Sequence, residues 1–513
     1  MLLRGWRALG VAFLAGALAG FAMPPWYWLP LAVAGIVVYV LLWDAAPTPR
    51  QALLRGFAWG TGHFAVGSYW ILEAFSVPPA DFQLLGPPIV LGLAFVLGFF
   101  PGMAAAVAHA MRRRWPFLGA GWRRLVLLAI CWAIGEWLRS HVFTGYAWNP
   151  LGHVWAFAAP LLQSAALFGV FGLGALSFIV LAAPVAGWRA ALAGLVLVAV
   201  AGGAGVMAID RSLGTKGAGT GPAIRIVQPN IPQAEKSRRG MEQIHLARLI
   251  DLSRRPGFDR IDVVVWPETA VPYFIQPDSP ALPVIARGAP AGGYLMTGAI
   301  RITARQQDGA WNSLLAIDPA CKVLAHYDKV HLVPLGEYIP LHRKLAPVSG
   351  LVGRGSFEEG QSFLTIALPG VPAFSPIVCY EVIFPAEVTG PAHATAGRPQ
   401  WLLNVTNDAW FGPSSGPYQH LTSARLRTIE EGLPMIRSAN TGVSAVIDAY
   451  GNVRASIEMQ REGIIDSVLP PARVWTPYGR WGDLTMAALL MFLVFVMVVR
   501  GRPGSRGGVR IIR

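Results

Sequence analysis

Charge is what this sequence has least of. Only 14% of its 513 residues are Asp, Glu, Lys or Arg, against roughly a quarter in soluble domains. Hydrophobic residues make up 54% and the mean hydropathy is +0.47, which excludes a chain that is soluble throughout and points to a membrane protein. Acidic residues are scarcer than basic ones, 28 against 42, for a net charge of +14. That excess does not require a nucleic-acid partner, because most arginines sit in short clusters beside apolar runs, the positive-inside pattern. Cysteine is almost absent. Cys131, Cys321 and Cys379 cannot make a disulfide framework, and no CxxC occurs. The ten histidines show no HExxH or comparable ligand spacing, so neither a metal nor another cofactor is expected.

What is present instead is a series of apolar runs of about bilayer-spanning length. They fall near 7–23, 27–43, 53–74, 87–110, 122–138, 161–187 and 189–209, with an eighth near 484–499. The connections alternate in charge. Arg4 and Arg7, Arg50 and Arg55, Arg112 to Arg114 with Arg123 and Arg124, and Arg189 occupy every second one, whereas the connection around 75–86 has no Lys or Arg. This bias puts both termini in the cytoplasm and the stretch from about 210 to 480 on the opposite side. The expected organisation is a transmembrane domain over 1–210 with seven helices, an outer domain over 223–470, a C-terminal span over 484–500 and a basic tail over 501–513. Arg4 and Arg7 before Val11–Ala22 also fit a signal peptide cleaved at Ala15-Gly-Ala17; a retained helix is expected, because further spans follow at once.

Within the spans, Glu136-Trp-Leu-Arg139 places two charges on one helical face, where they can pair. Such groups are functional suspects, and an ion pair anchoring the helix end fits equally well. The loop Thr144-Gly-Tyr-Ala-Trp148-Asn-Pro-Leu-Gly-His153 reads as an interfacial aromatic belt. The glycines of Gly169–Gly174 read as helix packing by small residues, not as a phosphate loop.

After the flexible Gly214-Thr-Lys-Gly-Ala-Gly-Thr-Gly221 the pattern changes to strand–helix alternation. Strands are expected at Ala223–Val227, Asp262–Trp266, Tyr294–Ile300, Ser313–Ile317, Val323–Tyr327, Phe374–Val378, Trp401–Val405, Val443–Ile447 and Gly463–Val468, with helices over 237–254 and from about His420 to Glu431. Alternation of this kind argues an α/β fold with a mixed sheet or a sandwich of sheets.

Three polar motifs fall at or just past strand ends. Val263-Val-Val-Trp-Pro-Glu268 presents a carboxylate in a position suited to a general base. His326-Tyr-Asp-Lys329 presents a lysine, with Glu337 eight residues on. Phe374-Ser-Pro-Ile-Val-Cys379-Tyr380-Glu381 delivers a thiol to a turn. A thiol attacks as thiolate, so it needs a neighbouring base or cation, and an ammonium beside it also suits a tetrahedral oxyanion. Singly each has a plainer reading: Glu268 as a helix cap, Lys329 as a surface charge, Cys379 as a core filler. A Cys321–Cys379 disulfide would remove the nucleophile, but Asp318-Pro-Ala-Cys321-Lys reads as a turn.

Jointly, Trp-Pro-Glu268, Tyr-Asp-Lys329-x-His-Leu-Val-Pro-x-Gly-Glu337 and Cys379-Tyr-Glu381 resemble the Glu-Lys-Cys triad of the nitrilase (carbon–nitrogen hydrolase) superfamily. Val227-Gln-Pro-Asn230-Ile-Pro-Gln233, Asn404-Val-Thr-Asn407-Asp408-Ala-Trp410-Phe411-Gly412, Arg437-Ser-Ala-Asn440-Thr-Gly442 and Glu136-Trp-Leu-Arg139 are similar to its membrane branch, the apolipoprotein N-acyltransferases. The resemblance covers nearly the whole chain. It implies an αββα sandwich carried on about eight transmembrane helices in the bacterial cytoplasmic (inner) membrane, facing the periplasm. It also implies transfer of a fatty acyl chain from a phospholipid, with phosphatidylethanolamine the expected donor, to the α-amine of a diacylglyceryl-modified apolipoprotein. Cys379 would carry the acyl group as a thioester, Glu268 would be the base and Lys329 would stabilise the oxyanion. Glu337 would support the site, and Glu381 and Trp410 would line it. Tyr380, Asn407, Trp148, Glu136 and Arg139 are further supporting or substrate-binding candidates, and a monomer is expected. Relatives often carry a tryptophan shortly after Asn-Ile-Pro-Gln. This chain reads Ala234-Glu-Lys-Ser-Arg238 there, so a lipid contact from that position does not carry over. The glycine-rich stretch Ser349–Gly360, tipped by Leu351, Val352 and Phe357, reads as a lid meeting lipid or as a plain surface loop. Rival readings are a membrane-tethered amidohydrolase, in which water replaces the amine, and a transporter or scaffold with a dead outer domain. An intact triad argues against the second.

Overall fold

The computed structural model describes residues 5–77, 83–214, 221–236, 238–276, 278–303, 309–338, 357–389 and 397–499. Most of the glycine-rich stretch expected as a lid, and the basic tail, lie outside the described residues. The N-terminal half is helical: α1 (Trp6–Gly20), α2 (Leu29–Asp44), α3 (Pro49–Gly67), α4 (Gly86–Arg114), α5 (Arg123–His141), a short α6 (Ala159–Leu162), α7 (Ala165–Ala182) and α8 (Trp188–Gly214). Among the described residues, Gln83–Arg114, Ala165–Ala186 and Trp188–Asp210 are long and apolar enough to cross a membrane, and Trp6–Gly20, Leu29–Asp44 and Leu484–Val499 are shorter apolar helices. Expected spans at α3 and α5 fall outside both groups, because α3 carries Arg50, Gln51, Arg55 and His63 and α5 carries Arg123, Arg124, Glu136 and Arg139.

Lipid offers no hydrophobic drive for one helix to seek another, so close backbone approach does the work. A Cβ on Gly16 would stand 1.8 Å from the Trp59 carbonyl oxygen, and one on Gly62 would stand 2.0 Å from that of Phe13, so α1 and α3 interlock through glycine. Gly60 and Gly98 join α3 to α4 in the same way, with a Cβ on Gly60 only 2.9 Å from Gly98 Cα. At the arginine-rich end Asp44 collects Arg112 (2.9 Å) and Arg124 (3.0 Å), tying α2 to α4 and α5. By contrast α8 leaves Leu192, Leu195, Val196 and Val200 exposed, an apolar face suited to lipid.

Two expected spans are interrupted. The one over 53–74 ends as an α-helix at Gly67 and continues as a 3-10 turn, Tyr69–Ser76. The one over 161–187 contains a break at Gly169 (φ 66°, ψ 177°), with the ring of Tyr478 in the space where a Cβ would sit. At Gly169 glycine serves a left-handed backbone and a close approach, whereas Gly174, where a Cβ would stand 2.6 Å from Glu136 Oε2 on α5, serves the expected helix packing.

The C-terminal half is a sandwich of two mixed sheets. The first contains β1 (Ala223–Gln228), β2 (Val263–Val265), β3 (Phe274–Ile275), β4 (Tyr294–Ile302), β5 (Ala310–Ile317), β6 (Val323–Asp328) and β13 (Gly463–Val468), in the order β13-β1-β2-β4-β5-β6 with β3 beside β4. The second runs β12-β11-β10-β9-β8-β7, formed by β7 (Ile366–Leu368), β8 (Val371–Val378), β9 (Trp401–Thr406), β10 (Met435–Ala439), β11 (Ser444–Ile447) and β12 (Val453–Ile457). Parallel strands form the centre of each sheet: β1, β2 and β4 in one, β8, β9 and β10 in the other. Ile226, Val265, Met296, Phe374, Val378, Leu403 and Ile436 fill the space between the sheets.

The short α9 (Gln233–Lys236), α10 (Glu242–Ser253) and the short α11 (Leu282–Ile285) belong to the first sheet's side, where α10 and α11 pack on its outer face. On the second sheet's outer face lies α12 (Gly416–Glu431), started by Pro417 in its first turn and ended by Gly432 at φ 66°. This is the expected αββα arrangement. The helix expected over 237–254 begins only at Glu242, after Gly240 at φ 84° turns the chain. The short α13 (Pro477–Trp481) leads into α14 (Leu484–Val499), which returns to α7 and α5.

The glycine interlock is directly testable. Gly16→Ala or Gly62→Ala forces α1 and α3 apart and is expected to cost about 1–3 kcal/mol, read as a lower Tm in detergent. Gly92→Ala meets nothing within 4 Å and is expected to leave Tm unchanged or raise it slightly.

Candidate active site

The C-terminal ends of β2, β6 and β8 point to one edge of the sandwich, and each is followed by a polar side chain. Strand β2 runs into Trp266-Pro267 and presents Glu268. Strand β6 ends at Asp328 and presents Lys329, whose Nζ lies 3.6 Å from Glu268 Oε1 and 2.8 Å from Glu337 Oε2. All three side chains are nearly removed from water; that of Lys329 is 1% exposed. Asn312 on β5 bridges the two carboxylates, donating from Nδ2 to Glu268 Oε1 (2.7 Å) and Glu337 Oε1 (2.8 Å). Burial works against the Lys329 ammonium, but Glu337 and Glu268 overcome it and hold its pKa above the ordinary lysine value. Lys329 is therefore a permanent cation.

Strand β8 ends in a left-handed turn at Cys379 (φ 51°). That geometry is uncommon for a non-glycine residue and tends to mark functional sites. Burial pushes the thiol pKa up, Glu268 adds to this, and Lys329 only opposes it. Lys329 favours the thiolate, as the sequence suggests, but burial and Glu268 outweigh it. The balance of these groups favours the thiol form of Cys379.

Glu381, expected to line the site, is turned inward. Its Oε2 accepts from the Val378 N–H (2.6 Å), and its Oε1 accepts from Tyr327 Oη (2.7 Å), the Val330 N–H (2.7 Å) and the His331 N–H (3.3 Å). One carboxylate therefore locks the cysteine turn to the lysine turn. Behind Cys379 lies a group that sequence reasoning passed over. His420 Nε2 is 3.1 Å from the Cys379 carbonyl, and Nδ1 is 2.8 Å from Asp408 Oδ1. Arg437 Nη2 donates to Asp408 Oδ2 at 2.7 Å, and Nη1 donates to Asn404. The Thr406 hydroxyl is shared between Sγ (3.2 Å) and Asp408 Oδ1 (2.8 Å). Asp408 and Arg437 stood inside quoted motifs, which was the available signal; their pairing depends on β9 and β10 lying side by side.

Sequence profiles match both halves of the chain: the "Apolipoprotein N-acyltransferase N-terminal domain" over residues 15–183 and "Carbon-nitrogen hydrolase" over residues 224–474. The apolipoprotein N-acyltransferase of Rhodopseudomonas palustris is 35% identical, covering 97% of this chain and 96% of its own length. That of Bradyrhizobium diazoefficiens is 37% identical, covering 98% and 96%. The chain belongs to the apolipoprotein N-acyltransferase family. Among solved structures, an amidase from Nesterenkonia sp. aligns over 53% of this chain and 96% of its own at 19% identity and a TM-score of 0.36.

In this family member the helical domain forms one wall beside the cysteine turn. Tyr380 Oη donates to the Gly145 carbonyl (3.2 Å). Trp148, expected in an interfacial belt, is instead buried, stacked on His420 with ring centroids 5.4 Å apart and packed against Trp70 and Phe411. Its Nε1 donates to Gln419 Oε1 (2.7 Å) on α12. Glu136 and Arg139 make no ion pair with each other within 4 Å. Glu136 accepts from the Leu151 N–H (2.7 Å), and Arg139 Nη1 donates to the carbonyls of Tyr146 (2.6 Å) and Trp148 (2.7 Å). The two charges clamp the aromatic loop from below, so the ion-pair expectation is replaced by loop positioning. Asn407 donates to Gln233 (2.9 Å) and accepts from Asn440 (2.9 Å), and Trp410 stays 43% exposed at the rim. Cys321 is free, in a turn at φ 68°.

Burial raises the Asp408 carboxyl, but Arg437 and His420 more than offset it and hold the pKa down to about 2. An unfolded aspartate titrates near 3.9, so this stabilisation is complete above about pH 4 and is lost as the pH falls toward 2. Asp408→Asn leaves Arg437 buried without its charge partner and is expected to cost about 3–5 kcal/mol. Thermal unfolding across pH 2.5–7 checks both effects: a lower Tm at neutral pH and a flatter acid limb.

Proposed function

We propose that this acyltransferase moves a fatty acyl chain from a phospholipid, through a thioester on Cys379, to the α-amine of a diacylglyceryl-modified apolipoprotein. The observation that carries the reading is the meeting of Glu268, Lys329 and the Cys379 turn at one sandwich edge, against an aromatic wall built by the helical domain. A donor that lives in the bilayer and an acceptor anchored to it both need the reacting edge next to the membrane.

In the first half-reaction Glu268 takes the thiol proton as Sγ attacks the phospholipid ester carbonyl. The oxyanion of the tetrahedral intermediate develops beside the Lys329 ammonium. Its collapse forms the thioester and expels the lysophospholipid alkoxide, which takes the proton from Glu268. In the second half-reaction the neutral α-amine of the apolipoprotein attacks the thioester and loses a proton to Glu268. The amide forms, the thiolate leaves, and Glu268 returns the proton to sulfur. The two halves share one site, giving ping-pong kinetics. Glu337 keeps Lys329 charged, and Glu381 keeps the lysine and cysteine turns in register. Trp410, half-exposed at the rim, is placed to meet the acyl chain.

Topologically, the chain is read as a monomer crossing the bacterial inner membrane eight times, with domain limits at 1–210, 223–470 and 484–500. Alternating arginine-rich connections support a periplasmic catalytic domain, and phosphatidylethanolamine is the proposed donor.

Intact-mass measurement after incubation with phosphatidylethanolamine vesicles tests the reading. Wild type is expected to gain a hydroxylamine-sensitive fatty-acyl mass and Cys379→Ala none. Glu268→Gln and Lys329→Met are expected to slow adduct formation by about 10²–10⁴-fold. A folded wild type that acquires no adduct overturns the mechanism.

A further inference from the structure

Lys236 has no part in the mechanism above, yet its position is built with care. It ends α9, and the segment leading to it is held from the second sheet. The Ile231 N–H donates to Asn440 Oδ1 (3.0 Å), Asn440 Nδ2 donates to the Ile231 carbonyl (2.7 Å), and Gln233 Oε1 accepts from Asn407 Nδ2 (2.9 Å). Asn407 and Asn440 follow β9 and β10, so these bonds swing the lysine from the end of β1 toward the Glu268 turn. There Nζ donates to the Glu268 carbonyl (3.1 Å) and to Thr269 Oγ1 (2.7 Å). That turn needs holding. Thr269 is β-branched at φ 43°, and the turn presses so closely on β4 that a Cβ on Gly298 would stand 2.5 Å from Glu268 Cα. A β-branched residue in this region persists only where its surroundings over-determine it.

We infer that Lys236 is the positioning residue of the general base, holding the Glu268–Thr269 turn so that the carboxylate faces Lys329 and the thiol, and bringing a second positive charge to the site. The inference rests on the reading of Glu268 as the base for Cys379. Charge counting supports it. With Glu268 and Glu337 ionised, Lys329 leaves the cluster one charge negative, and Lys236 restores neutrality before the oxyanion forms.

The groups acting on the lysine are Glu268 and Cys379, and its charge is felt by His245, which also has Glu235, Arg248 and Glu242 around it. Burial keeps His245 below its ordinary pKa, hence neutral near pH 7. Burial also lowers the Lys236 ammonium to about 8, against the pull of Glu268 and Cys379. Its hold on the turn is therefore present below that pH and weakens as the pH rises through it.

Single-turnover thioester formation from phosphatidylethanolamine vesicles, followed by intact mass between pH 6 and 9.5 with Tm measured alongside, tests this. Wild type is expected to slow above about pH 8. Lys236→Met is expected to be slower by about 100-fold in the limiting rate, with unchanged dependence on lipid concentration and no break near pH 8. Lys236→Arg, which keeps its charge, is expected to restore most of the rate and carry it to higher pH. Thr269→Val, which removes one bond and leaves the charge, is expected to fall between them. A Lys236→Met protein with the wild-type rate and pH profile overturns the inference while leaving the thioester reading intact. So does a loss matched by a lower Tm with the break near pH 8 retained. A wild type that forms no thioester overturns both.

Discussion

An ammonium group almost without contact with water sits at the centre of this molecule. Burying a charge is strongly unfavourable unless opposite charges and hydrogen bonds replace the lost hydration. Lys329 meets that condition through Glu268 and Glu337, with Asn312 bridging the carboxylates. The requirement binds together segments far apart in sequence: the turn after β2, the middle of β5, the turn after β6 and the loop carrying Glu337. Glu381 extends the connection to the cysteine turn by accepting from backbone N–H groups on both sides. The groups are mutually dependent, since removing one carboxylate leaves the ammonium undercompensated and frees the turn the carboxylate came from.

A second buried network holds the same turn from behind. Asp408, Arg437 and His420 are fully enclosed, and the ring of His420 lies between the Cys379 carbonyl and the Trp148 indole. The helical domain therefore bears on the Cys379 backbone through an aromatic stack. Further joints keep the two halves together: Glu430 Oε1 accepts from the Val170 N–H (2.7 Å), where the break at Gly169 frees it, and Arg425 donates to the Ala156 carbonyl (2.7 Å). The outer face of the second sheet is covered by α12 and the aromatic loop.

Much of this was legible beforehand. Strand-end motifs located Glu268, Lys329 and Cys379, and apolar β-branched runs located β1, β2, β8 and β9. Strand β10 escaped because Arg437 and Ser438 interrupt its apolar run; the facing Asp408, with Asn404 beside it, makes an arginine tolerable there. Asn312 and Lys236 escaped for a related reason, since a lone polar residue in a strand or short helix carries no mark of the partner it will meet. Glu136 and Arg139 were seen, but helical spacing suggested a pair, whereas both turn to backbone groups of the Tyr146–Leu151 loop.

The sequence by itself determined the class of the molecule: apolar runs that favour lipid, an alternation that builds a sandwich, and chemistry-bearing residues at the ends of strands. These follow from local composition and spacing, which act over a few residues. Tertiary structure decided which charges meet, that burial favours the thiol form of Cys379, that Glu381 fastens backbone, and that Trp148 stacks behind the cysteine turn while Lys236 ties down the Glu268 turn. Such outcomes depend on distances between segments hundreds of residues apart and on how much water is excluded between them, and both quantities exist only once the chain has folded.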